Sequence, residues 1–166
     1  MIVFEDDDDE YTGAPLTSEM VRHAEEVLGV RLPRAYVDVL LQRNGGVPQH
    51  RCFPTEFTTS WAPDHIEIEA LLGIGGEWGI DTLHGEAGII AEWGYPEIGV
   101  VFCDTPSGGH DTLMLDYSEC GAEGEPAVAY IDEDRIPRHI ARTFDEFMAR
   151  LVSCEQFEDD EQFEDE

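Results

Sequence analysis

Few residues of this chain are spaced for chemistry. His110-Asp111, next to Ser107-Gly108-Gly109, is the pair most like a metal ligand set or an acid–base couple. Neighbouring strand residues point to opposite faces, so two of them rarely converge on one ion, and a turn-plus-strand role is the competing reading. The remaining histidines, His23, His50, His65, His84 and His139, are scattered, with no His-Glu-x-x-His pair. There is no Gly-x-Ser-x-Gly elbow. Gly73, Gly75, Gly76 and Gly79 are dense but fit neither the dinucleotide fingerprint nor the phosphate loop, whose lysine this lysine-free chain does not have. They read as loop glycines. With 38 Asp and Glu residues, close carboxylate pairs follow from crowding and do not argue for glycoside cleavage. The expectation is a protein without catalytic residues, cofactor or metal.

Cys52, Cys103, Cys120 and Cys154 are far apart, form no Cys-x-x-Cys, and read as free thiols. Trp61, Trp78 and Trp93 are each flanked by polar residues, Gly or Pro. Two readings stand: packing at the core edge, or partial exposure as anchors of an interface, where Trp is enriched.

Charge is the strongest signal. Against the 38 acids stand nine arginines, for a net charge of −29. Residues 5–10 hold six acids and 155–166 hold eight, within a repeat of Glu-Gln-Phe-Glu-Asp; without those fourteen the body still carries −15. Such a field repels nucleic acid and anionic membrane and speeds encounter with basic partners, although acidity also serves plain solubility. No apolar run approaches the ~20 residues of a membrane-spanning helix. Met1-Ile2-Val3-Phe4 runs straight into acids, unlike a secretory signal, so the expected location is cytoplasmic.

The elements that must position these residues read as follows. An acidic tail covers 1–12, a folded body 13–154, and a mobile acidic tail 155–166. A helix over Ser18–Leu28 is capped by Thr17 and stopped by Gly29. A second starts at Pro33, carries Tyr36, Val39 and Leu40 on one face, and ends at Asn44-Gly45-Gly46. Ile66, Ile68 and Ala70 alternate with Glu67 and Glu69 as a half-buried strand. Residues 81–92 are ambiguous, because Gly85 and Gly88 weaken a helical pattern. Strands follow at 100–103, 112–117 and 127–131, joined by short links as an antiparallel meander. Thr143-Phe144-Asp145-Glu146 is a capping box that opens a last helix with Phe144, Phe147, Met148 and Leu151 on one face. The class is α+β: a central antiparallel sheet with N-terminal helices and a C-terminal helix packed on it.

Several of these segments, taken in order, resemble the SUKH superfamily, the group that contains the yeast cell-wall assembly regulator. They are Ala24-Glu25-Glu26-Val27-Leu28-Gly29-Val30-Arg31-Leu32-Pro33-Arg34-Ala35-Tyr36, then Asn44-Gly45-Gly46-Val47-Pro48, Ile68-Glu69-Ala70-Leu71-Leu72-Gly73-Ile74, Ser107 to Tyr117 through His110-Asp111 and Asp116-Tyr117, Val128 to Asp132, and Ala141-Arg142-Thr143-Phe144-Asp145-Glu146-Phe147. The resemblance spans about residues 17–151. It implies an α+β fold, and for many bacterial members a role as immunity protein that neutralises a toxin, often a nuclease. The matched residues Pro33, Tyr36, Asn44, Gly45, Gly46, Gly108, Gly109, Asp116 and Tyr117 are architectural, and no catalytic residue is carried over.

The expected function is therefore non-catalytic binding of a basic toxin, with neither nucleic acid nor membrane as partner. The alternatives are a regulatory scaffold of the same fold and, behind it, a small-ligand binder or enzyme near His110. The expected contact patch is acidic and aromatic: Trp61, Glu77, Trp78, Asp81, Asp104 and Asp111.

Overall fold

The computed structural model describes residues 4, 11–59, 62–76, 79–84, 93–106 and 111–157. Helix α1 (Ser18–Leu28) begins where the Thr17 hydroxyl accepts the Met20 amide at 3.2 Å, and it stops at Gly29, which turns left-handed with φ 72°. Helix α2 (Arg34–Gln42) follows Pro33, with Tyr36 and Leu40 fully buried. Strand β1 (Cys52–Pro54) pairs antiparallel with β2 (His65–Glu67) in a two-stranded sheet. The main sheet runs β3 (Ala70–Leu71), β4 (Gly99–Asp104), β5 (Thr112–Asp116), β6 (Ala127–Ile131) and β7 (Pro137–Ala141), neighbour to neighbour and all antiparallel. Between β3 and β4 lies the short α3 (Ile80–His84), and α4 (Phe144–Arg150) closes the domain. The α+β class and the meander are as the sequence predicts.

Rings join the layers. Tyr36 of α2 meets Phe144 of α4 edge-on at 5.2 Å and Phe102 of β4 at 6.4 Å. Phe102 also meets Phe144 and Phe147, each at 5.6 Å, and Phe147 stacks on Phe53 of β1 at 5.2 Å. Edge-to-face and offset contacts of this kind add to burial. The Tyr36 hydroxyl donates to the Leu72 carbonyl, so the phenol enters the core without a stranded polar atom.

A second tie is polar. Asn44, 3% exposed, accepts the Ile74 amide on Oδ1 at 2.9 Å, and its Nδ2 donates to the carbonyls of Ile74 and Ala14, both at 2.8 Å. The approach leaves no room for side chains: a Cβ on Gly73 would stand 2.5 Å from Asn44 Oδ1, and one on Gly45 (φ 89°) 2.5 Å from the Tyr11 carbonyl.

Four departures from the sequence reading have physical causes. The strand expected through Ile66, Ile68 and Ala70 is split between two sheets. The Ile68 amide donates to Arg51 and the Glu69 amide to Asp104, so the chain changes ladder there while its apolar alternation continues unbroken. Strand β7 carries no strand pattern in the sequence, because it starts on a proline and holds Arg138 and His139. It is an edge strand, where a first-position proline costs no ladder bond. The acidic N-terminal segment also contributes to the body. Phe4 is buried and bridges Pro48 beneath the Arg43 guanidinium, Tyr11 donates to Asp104 at 2.8 Å, and Thr12 donates to the Gly45 carbonyl at 2.9 Å. Finally, Cys52 and Cys154 are not free thiols but a disulfide across 102 residues, joined only once the fold brings β1 to the C-terminal segment. Cys103 is free and buried, Cys120 free and exposed.

At α4 the Thr143 hydroxyl accepts the Glu146 amide at 3.1 Å, while the Glu146 carboxylate lies 3.8 Å from Arg150. Replacing Thr143 with Ala is expected to cost about 1 kcal/mol. Asn44→Ala strands the Ile74 amide and carbonyl and is expected to cost roughly 3 kcal/mol. Urea denaturation of both variants beside the parent checks the order.

Candidate interaction surface

The described members of the expected contact patch do not form one. Asp111 is 1% exposed: Oδ1 accepts the Thr105 hydroxyl at 2.9 Å and Oδ2 the Tyr130 hydroxyl at 2.6 Å. Asp81 is 8% exposed and accepts the Gly75 amide at 2.9 Å. Asp104, half-buried, accepts from Tyr11 and from the Thr105 amide. These carboxylates accept hydrogen bonds that close turns and strand ends from within. Acid count alone could not separate such internal acceptors from surface charge. Trp61, Glu77 and Trp78, together with His110, Gly108 and Gly109, lie outside the described residues. Trp93 is 42% exposed.

Among the architectural residues that the structure describes, several stand at turns and element ends. Pro33 precedes α2, Asn44 and Gly45 hold the turn behind it, and Gly46 exchanges backbone hydrogen bonds with Leu71 of β3. Asp116 ends β5. The Tyr117 hydroxyl reaches back to the Arg31 carbonyl at 2.7 Å, tying the sheet to the α1–α2 connection.

That tie builds a surface. Residues 117–126, linking β5 to β6, lie against the α1–α2 connection, where the Arg31 amide donates to the Ala122 carbonyl at 2.7 Å. Between them opens a trough of about 610 Å³ lined by Leu32, Val37 and Leu41, with Glu25, Asp38, Glu123 and Glu125 among its charged residues. A further 300 Å³ continues between α1 and α2 past Val21 and Arg22. Leu41 is 59% exposed, on the solvent side of α2 with Arg34 and Asp38. Arg31 and Arg34 also border the trough, and Arg34 lies 3.9 Å from Asp38 in a pair too exposed to contribute much. The sequence signal missed here was Leu41 itself, apolar but one position off the buried Tyr36–Leu40 stripe.

At the end of β5, Asp116 Oδ2 meets His139 Nε2 at 2.6 Å, and His139 Nδ1 lies 3.6 Å from Glu119. Burial works against the charged form of Asp116. The Ser118 hydroxyl, the His139 ring and the Ser118 amide outweigh it and hold its carboxyl below the usual range. The thiol of Cys120, in the same loop, is pushed up by desolvation and by Asp116, Glu125 and Glu119. The only group of three metal-binding side chains among the described residues is Cys52, Glu67 and Cys154, with both sulfurs in the disulfide.

Because its folded pKa is depressed, Asp116 contributes stability that is complete above its unfolded value near 4 and is lost as pH falls through the lower folded value. Asp116→Asn is therefore expected to lower the thermal midpoint at pH 7 and to narrow its gap to the parent at pH 3. An unchanged gap would assign the acid sensitivity elsewhere.

Among the described residues no helix is long and apolar enough to cross a membrane. Comparison with curated proteins and with solved structures gives no match. The family model described as the SMI1 / KNR4 family (SUKH-1) matches residues 15–150, from just before α1 to the last residue of α4. With the helices, the meander and the Asn44 turn inside that span, the chain belongs to the SMI1 / KNR4 (SUKH-1) family.

Proposed function

We propose that this domain is a non-catalytic binding module that captures and neutralises a basic toxin polypeptide, as an immunity protein of a bacterial polymorphic toxin system. Its family includes immunity proteins, which makes the class available. The observation that carries the reading is the trough. Leu32, Val37 and Leu41 line an open cleft together with Glu25, Asp38, Glu123 and Glu125. A basic segment with an apolar ridge complements it: the apolar side chains supply burial and the carboxylates select charge. Arg31 and Arg34 make the contact one of mixed sign, suited to a folded polypeptide with its own acids and carbonyls. The body charge of −15 adds long-range attraction. A nuclease, whose substrate site is cationic, is the kind of toxin such a field draws in, and the reading puts the encounter in the cytoplasm.

The test uses toxin domains encoded beside the gene. Leu41→Asp is expected to weaken binding about tenfold or more. Glu123→Arg with Glu125→Arg should slow association and flatten its dependence on salt. Circular dichroism should be unchanged in both. Bound toxin should shield Cys120 from alkylation. Wild-type affinity in both variants would remove the trough from the interface; neither binding nor rescue from any neighbouring toxin would overturn the function itself.

A further inference from the structure

The C-terminal segment is fastened to the two-stranded sheet at three points. Val152 and Cys52 exchange two backbone hydrogen bonds, of 2.8 and 3.1 Å. Two residues on, Cys154 is bonded to Cys52 through sulfur. Three residues further, the Phe157 ring stacks on His65 of β2, centroids 4.0 Å apart. Beyond Phe157 the sequence carries seven acids in its last nine residues, so whatever holds 151–157 also fixes where that charge begins.

The two sulfurs are not equivalent. Cys52 is fully buried on β1, whereas Cys154 is partly exposed. Glu67 sits directly opposite Cys52 in the β1–β2 register, and its carboxylate and both sulfurs lie within 4.8 Å of one another. A thiol arriving from solvent reaches Cys154 first, so Cys52 must leave as the thiolate. That negative charge forms in a buried position beside a carboxylate, and both features oppose it.

We infer that Cys52–Cys154 is a redox latch on the C-terminal segment, with Glu67 setting its resistance to opening. The reductant is a low-molecular-weight thiol. Its thiolate attacks Cys154 Sγ, the S–S bond breaks, and Cys52 departs as a thiolate that takes a proton from water. A second thiolate then attacks the sulfur of the bound small molecule. The Cys154 thiolate leaves and is protonated, and the two small thiols depart as their disulfide. Two electrons enter the protein and one disulfide leaves in solution. The dithiol state keeps the core burial of Leu151, the Val152 bonds and the Phe157 stack. Beyond Leu151 those ties span only a few residues of chain and hold weakly, so segment 152–157 detaches while the main sheet, which the disulfide does not touch, stays folded. The latch does not depend on what the trough binds.

The test follows amide hydrogen exchange of the full chain with and without dithiothreitol, with alkylation and intact mass reporting the thiols. In the reduced protein, exchange in 152–157 and β1 is expected to rise about tenfold or more, with β4 to β6 unchanged. Cys154→Ser should show the same pattern without reductant. Glu67→Gln should open several-fold faster under the same dithiothreitol while keeping the parent's thermal midpoint. If exchange in 152–157 stays the same after reduction, no latch exists. If β4 to β6 loosen together with it, the bond is a staple of the whole fold, and that too overturns the inference. Parent-like opening in Glu67→Gln removes Glu67 from the device.

Discussion

The fold hangs on the amide of Asn44. One side chain accepts the Ile74 amide and donates to the Ile74 and Ala14 carbonyls, so three stretches of chain distant in sequence meet at one buried group. The amide and carbonyl of Ile74 are buried there, and each would cost free energy if left unmatched. The surrounding glycines follow from this: Gly45 and Gly73 come so close to Tyr11 and Asn44 that a Cβ would collide with backbone. With the end of α2 fixed there, Tyr36 is aimed at Leu72 and Phe102, and the helices acquire their angle to the sheet. The trough is a by-product of that placement, since it is bounded by the same α2 and by the loop that Tyr117 ties to Arg31.

Local signals were legible in the sequence and non-local ones were not. The Thr17 and Thr143 caps, the Gly29 stop and the meander from β4 to β6 depend on residues a few positions apart, and all are present. The Cys52–Cys154 bond depends on a juxtaposition across 102 residues, for which spacing carries no information. The break between β2 and β3 was invisible for another reason: Ile66, Ile68 and Ala70 are buried on both sides of it, so the pattern is the same whether one sheet or two receives them.

The candidate site shows the same division more sharply. Net charge correctly describes the body as acidic but does not locate a surface. Asp81 and Asp111 are internal acceptors, while Glu123 and Glu125 line the trough. A carboxylate in a Gly-rich turn and one in an exposed loop look alike in one dimension. What separates them is whether donors surround them, as Thr105 and Tyr130 surround Asp111.

The chain's cations have a distinctive use. Arg43 lies over Phe4, Arg135 over Tyr95, Arg138 over Phe57 and Arg150 over Phe53, at 4.6 to 5.5 Å from the ring centres. A guanidinium is flat and weakly hydrated, so it roofs an aromatic face while its own edge stays wet, which a compact, strongly hydrated lysine ammonium does less well. Each such roof lets an aromatic side chain at the margin of the body finish in a polar cap in place of a greasy one. At these four places the interior thereby extends to the boundary of the molecule with a charged group over the ring.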